Sequence, residues 1–238
     1  MPILDQWNLQ IESNEVLRGQ GADPYIVKYR RPHLFDMASK AIEEGITLIH
    51  PRVLYERFLV KSIHHMRLEL SGNNYLAGEI LMEHLCYAEE IIVTICTIGP
   101  NLEERVRNVM KYDMVYALAL DGVGSVATEL LTENVCKYFE AEASKKGWKT
   151  TIPLNPGMIG WPVEESQRQI FSLLDGSQIG VYLTESNIMI PIKSISFILG
   201  LGPEIGQNDK AICDYCSMRM ICKYQTKNIP DPINVMKS

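Results

Sequence analysis

Three cysteines carry the sharpest chemical spacing in this 238-residue sequence: Cys213, Cys216 and Cys222, in the pattern C-x2-C-x5-C. A C-x-x-C pair is the chelate spacing that lets two thiolates reach one tetrahedral metal ion, and a third cysteine six residues on can fold back to the same ion or cluster. Three thiolates are one short of the usual four. The fourth ligand is open: a distant cysteine, a histidine, another subunit or an exogenous group. Zinc and an iron–sulfur cluster both fit the spacing. Tyr215, Met218, Met220, Ile221 and Tyr224 add a partly apolar shell suited to a redox centre. Cys86, Cys96 and Cys136 stand alone in apolar stretches, so in a reducing compartment the six cysteines do not read as a disulfide framework.

Other patterns are weaker. Gly122-Val-Gly-Ser-Val-Ala127 matches G-x-G-x-x-A, a dinucleotide fingerprint where it follows a strand and opens a helix. Residues 114–127 are instead rich in helix formers with no βαβ unit before them. The glycines therefore read as small residues that let a neighbour or ligand approach a helix closely. Gly122, Ser125 and Glu129 share one helix face at that spacing, and Asp121 and Glu129 equally suit a solvated face. His64 and His65 would point to opposite faces of a strand, while His33, His50 and His84 are single. No H-E-x-x-H, G-x-S-x-G or P-loop pattern occurs.

Apolar residues make up 46% of the chain and charged residues 22%, the balance of a globular protein, and the formal net charge is −6. A mildly acidic chain with scattered lysines and arginines lacks the basic stripe that a nucleic acid requires. No run of eighteen apolar residues occurs and the first residues lack a signal-peptide pattern, so neither a membrane span nor export is expected, and the expected location is cytoplasmic.

The positioning elements follow from periodicity. Residues 1–34 are polar and mixed, and 35–46 read as a short helix stopped at Gly45. Residues 52–62 fit helix or strand equally. Residues 66–98 read as a β meander ending in IIVTICTI, too continuously apolar for a surface strand and so expected to be central and covered on both faces. A helix opens near Asn101, read as an N-cap with Glu104 completing a capping box, and a long one runs over 114–146. Residues 151–161 hold Pro153, Pro156, Gly157 and Gly160 and cannot be helical. A helix over 162–174 and strands over 179–183 and 193–199 follow. The expected fold is α+β: an antiparallel β-sheet from 66–98 and 179–199, covered by helices. The expected parts are 1–98, the N-terminal part of the α+β domain or a subdomain of its own; a core, 99–206; and a Cys-containing loop and tail, 207–238.

Over residues 154–202 the sequence resembles the activation (adenosylmethionine-binding) domain of cobalamin-dependent methionine synthase, in its short stand-alone anaerobic form. The blocks that carry the likeness are Asn155-Pro-Gly157, Gly160-Trp-Pro162, Gln169-Ile-Phe-Ser-Leu-Leu174, Ile179-Gly180, Leu183-Thr-Glu-Ser186, Met189-Ile-Pro191 and Lys193-Ser194. Upstream, Gly99-Pro100 and DMVYALALDGVGS at 113–125 are also similar. The resemblance implies an activation subunit for methionine synthase or a related corrinoid methyltransferase, hence an accessory subunit whose standing as an enzyme is open. Such a subunit presents the methyl group of S-adenosylmethionine to the cobalamin of a corrinoid-binding protein. Methyl transfer then traps cobalt reduced by an electron donor such as flavodoxin or ferredoxin.

Implied ligand-binding residues are Asn155, Gly157, Met158, Trp161, Glu185, Ser125 and Glu129. The chain departs from the family in three places. Pro153 stands where the family has arginine, Met158 where it has tyrosine, and Ser125 where the synthases use a carboxylate. Loss of an arginine paired to a ligand carboxylate weakens binding by more than about 1 kcal/mol. The alternative reading on the same fold is a corrinoid-associated iron–sulfur electron-transfer or scaffold protein that binds no adenosylmethionine, or a structural partner with a zinc knot.

Overall fold

The computed structural model describes residues 1–206, 212–216 and 220. Seven strands form one antiparallel sheet: β1 (Ile3–Leu4), β2 (Arg52–His64), β3 (Arg67–Leu70), β4 (Tyr75–Ala77), β5 (Glu90–Thr97), β6 (Lys149–Thr150) and β9 (Ser194–Gly202). The order is β4-β3-β2-β5-β9-β6, with β1 alongside the first part of β2. The short strands β7 (Tyr182–Leu183) and β8 (Met189–Ile190) pair only with each other. Helices α1 (Ser13–Gly19), α2 (Pro24–Arg30), α3 (Pro32–Ile46), α5 (Asn101–Val109) and α6 (Met114–Lys145) cover one face, and α4 (Glu79–Leu85) and α7 (Val163–Leu173) the other.

Strand β5 explains the layering. All eight of its residues are buried. Ile92 and Cys96 pack among the α1–α3, α5 and α6 side chains, whereas Ile91, Val93 and Ile95 pack among those of α4 and α7. Each such aliphatic side chain gains roughly 1.5–3 kcal/mol from burial, so the two-faced strand anchors both layers. The expectation of a central strand covered on both faces is met.

Helix α6 spans 32 residues, about 48 Å at the usual rise. Its N-terminus is capped by Asp113, whose carboxylate accepts the Tyr116 N–H at 3.0 Å. Its most apolar eighteen residues reach a mean hydropathy of 1.4, and half of them are buried where the helix packs on α1, α3, α5 and the sheet. Phe139, fully buried, meets the Tyr55 ring edge-on at 5.0 Å and lies under the Arg57 guanidinium. Arg57 in turn pairs with Glu90 at 2.5 Å. The 122–127 motif lies inside α6, away from any strand-to-helix turn, and a Cβ at Gly124 would come within 3.2 Å of Leu102 and Lys193. Those glycines serve close approach.

The structure departs from the sequence reading in four elements. Residues 66–98 are no simple meander, because α4 stands between β4 and β5. Ile80, Leu81 and Leu85 bury one helical face there, and Gly78, just before the helix, lies so near Trp161 that a Cβ would meet its ring at 2.6 Å. Residues 1–34 hold α1 and α2. Asn101 begins α5 rather than capping it: Pro100 takes the cap position without a side-chain bond. The strand expected over 179–183 is shorter, Tyr182–Leu183, and follows a 3-10 turn (Gly176–Ile179), and the β7–β8 pair stays outside the main sheet. At the sheet edge, the Gln169 side chain of α7 accepts the Ala77 N–H at 2.8 Å and donates to the Ala77 carbonyl at 3.0 Å.

Candidate functional site

The loop at 155–161 leaves the sheet where Leu154 bridges Ile198 of β9 through paired backbone bonds. It then closes on itself. The Met158 N–H donates to the Asn155 carbonyl, the Gly157 N–H to the Trp161 carbonyl, and the Trp161 N–H to the Met158 carbonyl, at 2.9–3.2 Å. Gly157 and Gly160 take φ of +91° and +82°, a region that glycine enters without a Cβ penalty. A Cβ on Gly160 would also stand 2.9 Å from the Glu79 Cβ. Sequence had excluded helix here on these residues, and the excluded helix is replaced by a tight, glycine-dependent turn.

Four of the expected ligand residues, Asn155, Gly157, Met158 and Trp161, sit in this turn. Met158 and Trp161 are buried in the layer of α4 and α7. The Asn155 backbone N–H lies 3.4 Å from the Met158 sulfur. Asn155 Oδ1 and Trp161 Nε1 are both buried without a hydrogen-bond partner among the described residues. A buried unsatisfied acceptor or donor costs about 1–3 kcal/mol, so the loop holds one of each in a state that a polar ligand would relieve.

The remaining expected residues lie elsewhere. Ser125 and Glu129 are on α6, in the other layer, and no described hydrogen bond joins them to the loop. The Ser125 hydroxyl donates to the Asp121 carbonyl and accepts from Lys193 Nζ at 2.9 Å, and the same ammonium pairs with the Asp121 carboxylate at 2.9 Å. A cation therefore occupies the neighbourhood where the resemblance implies a carboxylate. Burial, with Glu133 and Glu15 nearby, raises the Glu129 pKa above the usual carboxylate value. Glu185 is exposed in the turn between β7 and β8. Sequence reading missed two residues of that turn's support: Asn187, buried at φ +59°, accepts from Arg168 Nε of α7 at 3.2 Å. An asparagine after Thr-Glu-Ser was the available signal, since asparagine tolerates the left-handed region.

The cysteine motif meets the loop. Ile212–Tyr215 forms a 3-10 turn, and the Cys216 N–H approaches the Cys213 carbonyl at 3.4 Å. Cys213 and Cys216 are both half-buried. Met158 and Cys216 form an antiparallel bridge, and the Ile159 N–H donates to the Tyr215 carbonyl at 3.0 Å. The Tyr215 ring stands edge-on to His84 of α4, with centroids 4.7 Å apart. Two thiols in one turn suit two arms of a chelate. Among the described residues no group of three or more His, Cys, Asp or Glu side chains is placed to hold a metal, and Cys222 lies outside them. Apart from the loop, an open cleft of about 620 Å³ lies between β4 and α7, lined by Arg67, Tyr75, Arg168 and Gln169 among others.

No protein-family model matches the sequence, and no curated protein matches it significantly. Among solved structures, the chain is similar to one described as the crystal structure of the MetH reactivation domain bound to AdoHcy. The TM-score is 0.64 at 13% sequence identity, over 87% of this chain and 81% of that one. This chain has the α+β fold of the MetH reactivation domain.

Proposed function

We propose that this chain is an activation subunit for a cobalamin-dependent methionine synthase or a related corrinoid methyltransferase, and that the 155–161 loop binds S-adenosylmethionine. The observation that carries this reading is the pair of unsatisfied groups, Asn155 Oδ1 and Trp161 Nε1, on residues that the resemblance had already singled out. An acceptor and a donor on one short loop match the ammonium and carboxylate of an amino-acid moiety. The neighbour's bound AdoHcy, the demethylated form of the same ligand, supports the choice. The chain's own task is to hold the ligand and exclude water from it; the methyl acceptor and reductant belong to partners. Those partners are a corrinoid-binding protein and a donor such as flavodoxin or ferredoxin, with the whole assembly cytoplasmic.

Titration calorimetry with S-adenosylmethionine and AdoHcy tests the reading. Saturable binding that is lost in Asn155→Leu supports it, and no heat at millimolar ligand rejects it. A second reading has its own support. Pro153 and Met158 remove an arginine and a tyrosine from the loop, and the cysteine turn packs against it, as in a corrinoid-associated iron–sulfur electron-transfer or scaffold protein. Brown, anaerobically purified chain that bleaches on reduction and binds no adenosylmethionine would favour that reading. Colourless chain carrying zinc would favour a structural knot.

A further inference from the structure

Strand β4 ends the sheet, and its pairing with β3 settles which way each of its backbone groups points. The Leu70 N–H donates to the Asn74 carbonyl at 2.9 Å, and the register runs on through Glu69↔Tyr75, Leu68↔Leu76 and Arg67↔Ala77 without a shift. Bonded and unbonded pairs alternate along an antiparallel ladder, so Tyr75 and Ala77 sit in unbonded pairs and turn their N–H and C=O outward. The two bonds from Gln169 to Ala77 confirm that parity. The outward groups of Tyr75 have no bonding partner among the described residues, and Tyr75 lines the cleft of about 620 Å³ beside α7. Outer strands usually defend such groups with charge, proline or a bulge. Residues 74–77 carry none of these.

The surroundings of this open rung are selective. Leu68, Leu70 and Leu76 turn one face of the β3–β4 pair into the core. On the other face the Arg67 guanidinium lies 4.4 Å from the Tyr75 ring centroid. Arg67 makes no ion pair among the described residues, whereas Arg168, also on the cleft wall, pairs with Glu164 at 3.0 Å. A guanidinium stacked on a ring keeps its N–H edge free for a carboxylate. We infer that the β4 edge is a docking site for an acidic, extended segment of a partner protein, added antiparallel to β4 over a single rung. One residue of that segment exchanges two backbone bonds with Tyr75. Directly opposed residues of an antiparallel pair share a face, so its side chain lies on the Arg67 side, where a glutamate meets the unshared cation. The residues before and after it turn the other way, toward Ser172 and Leu173 of α7, and are small or apolar. Gln169 already occupies Ala77, so the contact is short and reversible. The inference does not depend on what the 155–161 loop binds.

Hydrogen exchange on the full chain tests it, with the Tyr75 amide as reporter and amides of β5 as the internal standard for folding. The probe is the peptide acetyl-Thr-Val-Glu-Val-Thr-amide, compared with versions carrying lysine or N-methyl-glutamate at the centre. Saturating probe is expected to slow Tyr75 exchange about tenfold and leave β5 unchanged. The lysine version is expected to bind about tenfold more weakly, and the N-methyl version, which lacks the central donor, to give no protection. Arg67→Ala, an exposed substitution, is expected to weaken the glutamate peptide about fivefold and to leave β5 exchange unchanged. No saturable binding at millimolar probe overturns the inference. Binding without protection of Tyr75, or undiminished binding of the N-methyl version, overturns strand addition. Equal binding of the lysine version, or of the glutamate version to Arg67→Ala, overturns the acidic partner.

Discussion

The α6 layer and the loop layer treat their polar groups in opposite ways. Beside α6, Lys193 is shared by Asp121 and Ser125, and Glu44 accepts from both Arg105 at 2.5 Å and the Tyr116 hydroxyl at 2.7 Å. Arg57 likewise pairs with Glu90. Across the sheet, the 155–161 loop closes on itself through three backbone bonds, ties to Glu79 and Tyr215 through two more, and leaves two side-chain groups unsatisfied in a buried place. A layer built for stability pairs what it buries, and a segment that leaves buried groups unpaired is either waiting for a partner or carrying strain. Thr94 Oγ1, inside β5, is also unpartnered among the described residues, so the contrast is one of concentration on a loop.

The comparison can be broken by substitution. Phe139→Ala, at the centre of the paired layer, is expected to cost about 3–5 kcal/mol in a denaturant titration. Gly160→Ala forces a left-handed backbone onto a residue with a Cβ and presses it against Glu79, which should cost about 1–3 kcal/mol. Lys193→Met removes one cation from two acceptors that are partly exposed, with an expected loss near 1 kcal/mol. Asn155→Leu is the sharpest contrast: the loop loses an unsatisfied acceptor, so stability should hold or rise slightly, within about 1 kcal/mol, while AdoHcy affinity falls. A clear destabilisation there would show that Asn155 is structural and end the contrast.

The smallest effect concerns pH. The Tyr116 hydroxyl, then Arg105, hold the Glu44 carboxyl below its ordinary value, so its stabilisation is full above that value and fades as pH falls through the lowered one. Burial, then Glu44, push the Tyr116 phenol up to about 12, so its stabilisation is full below the ordinary tyrosine value and fades as pH rises through about 12. Tyr116→Phe should flatten both arms of the stability profile in part, because burial also raises the pKa values of Tyr55, Cys96 and Cys136 and these keep a share of the alkaline arm. An unchanged alkaline arm would place the titrating group elsewhere.

What was legible in the sequence follows from range. The burial of β5 on both faces was written in its own residues, and so were the long helix and the non-helical loop with its prolines and glycines. Helix α4 was not, since its place depends on Gly78 meeting Trp161, more than eighty positions away. Asn101 failed as a cap although its residue type was right, because the helix starts one residue too early, and Asp113 makes a real cap further on. Four of the expected ligand residues were brought together as one loop. Ser125 and Glu129 were assigned by alignment of a helix whose neighbour, Lys193, carries the opposite charge. The meeting of Cys216 with Met158 had no signature at all: it is a backbone bridge, indifferent to side-chain type.

Gln169 has a consequence beyond fixing α7 to the sheet. Strand β4 is the terminal strand of the sheet, and an outer strand with free backbone groups invites another chain to add itself. The side-chain amide of Gln169 has the same donor and acceptor as a peptide group and takes up both backbone groups of Ala77. It acts as a one-residue counterfeit of the next strand, so at Ala77 the sheet reaches its last rung inside its own molecule.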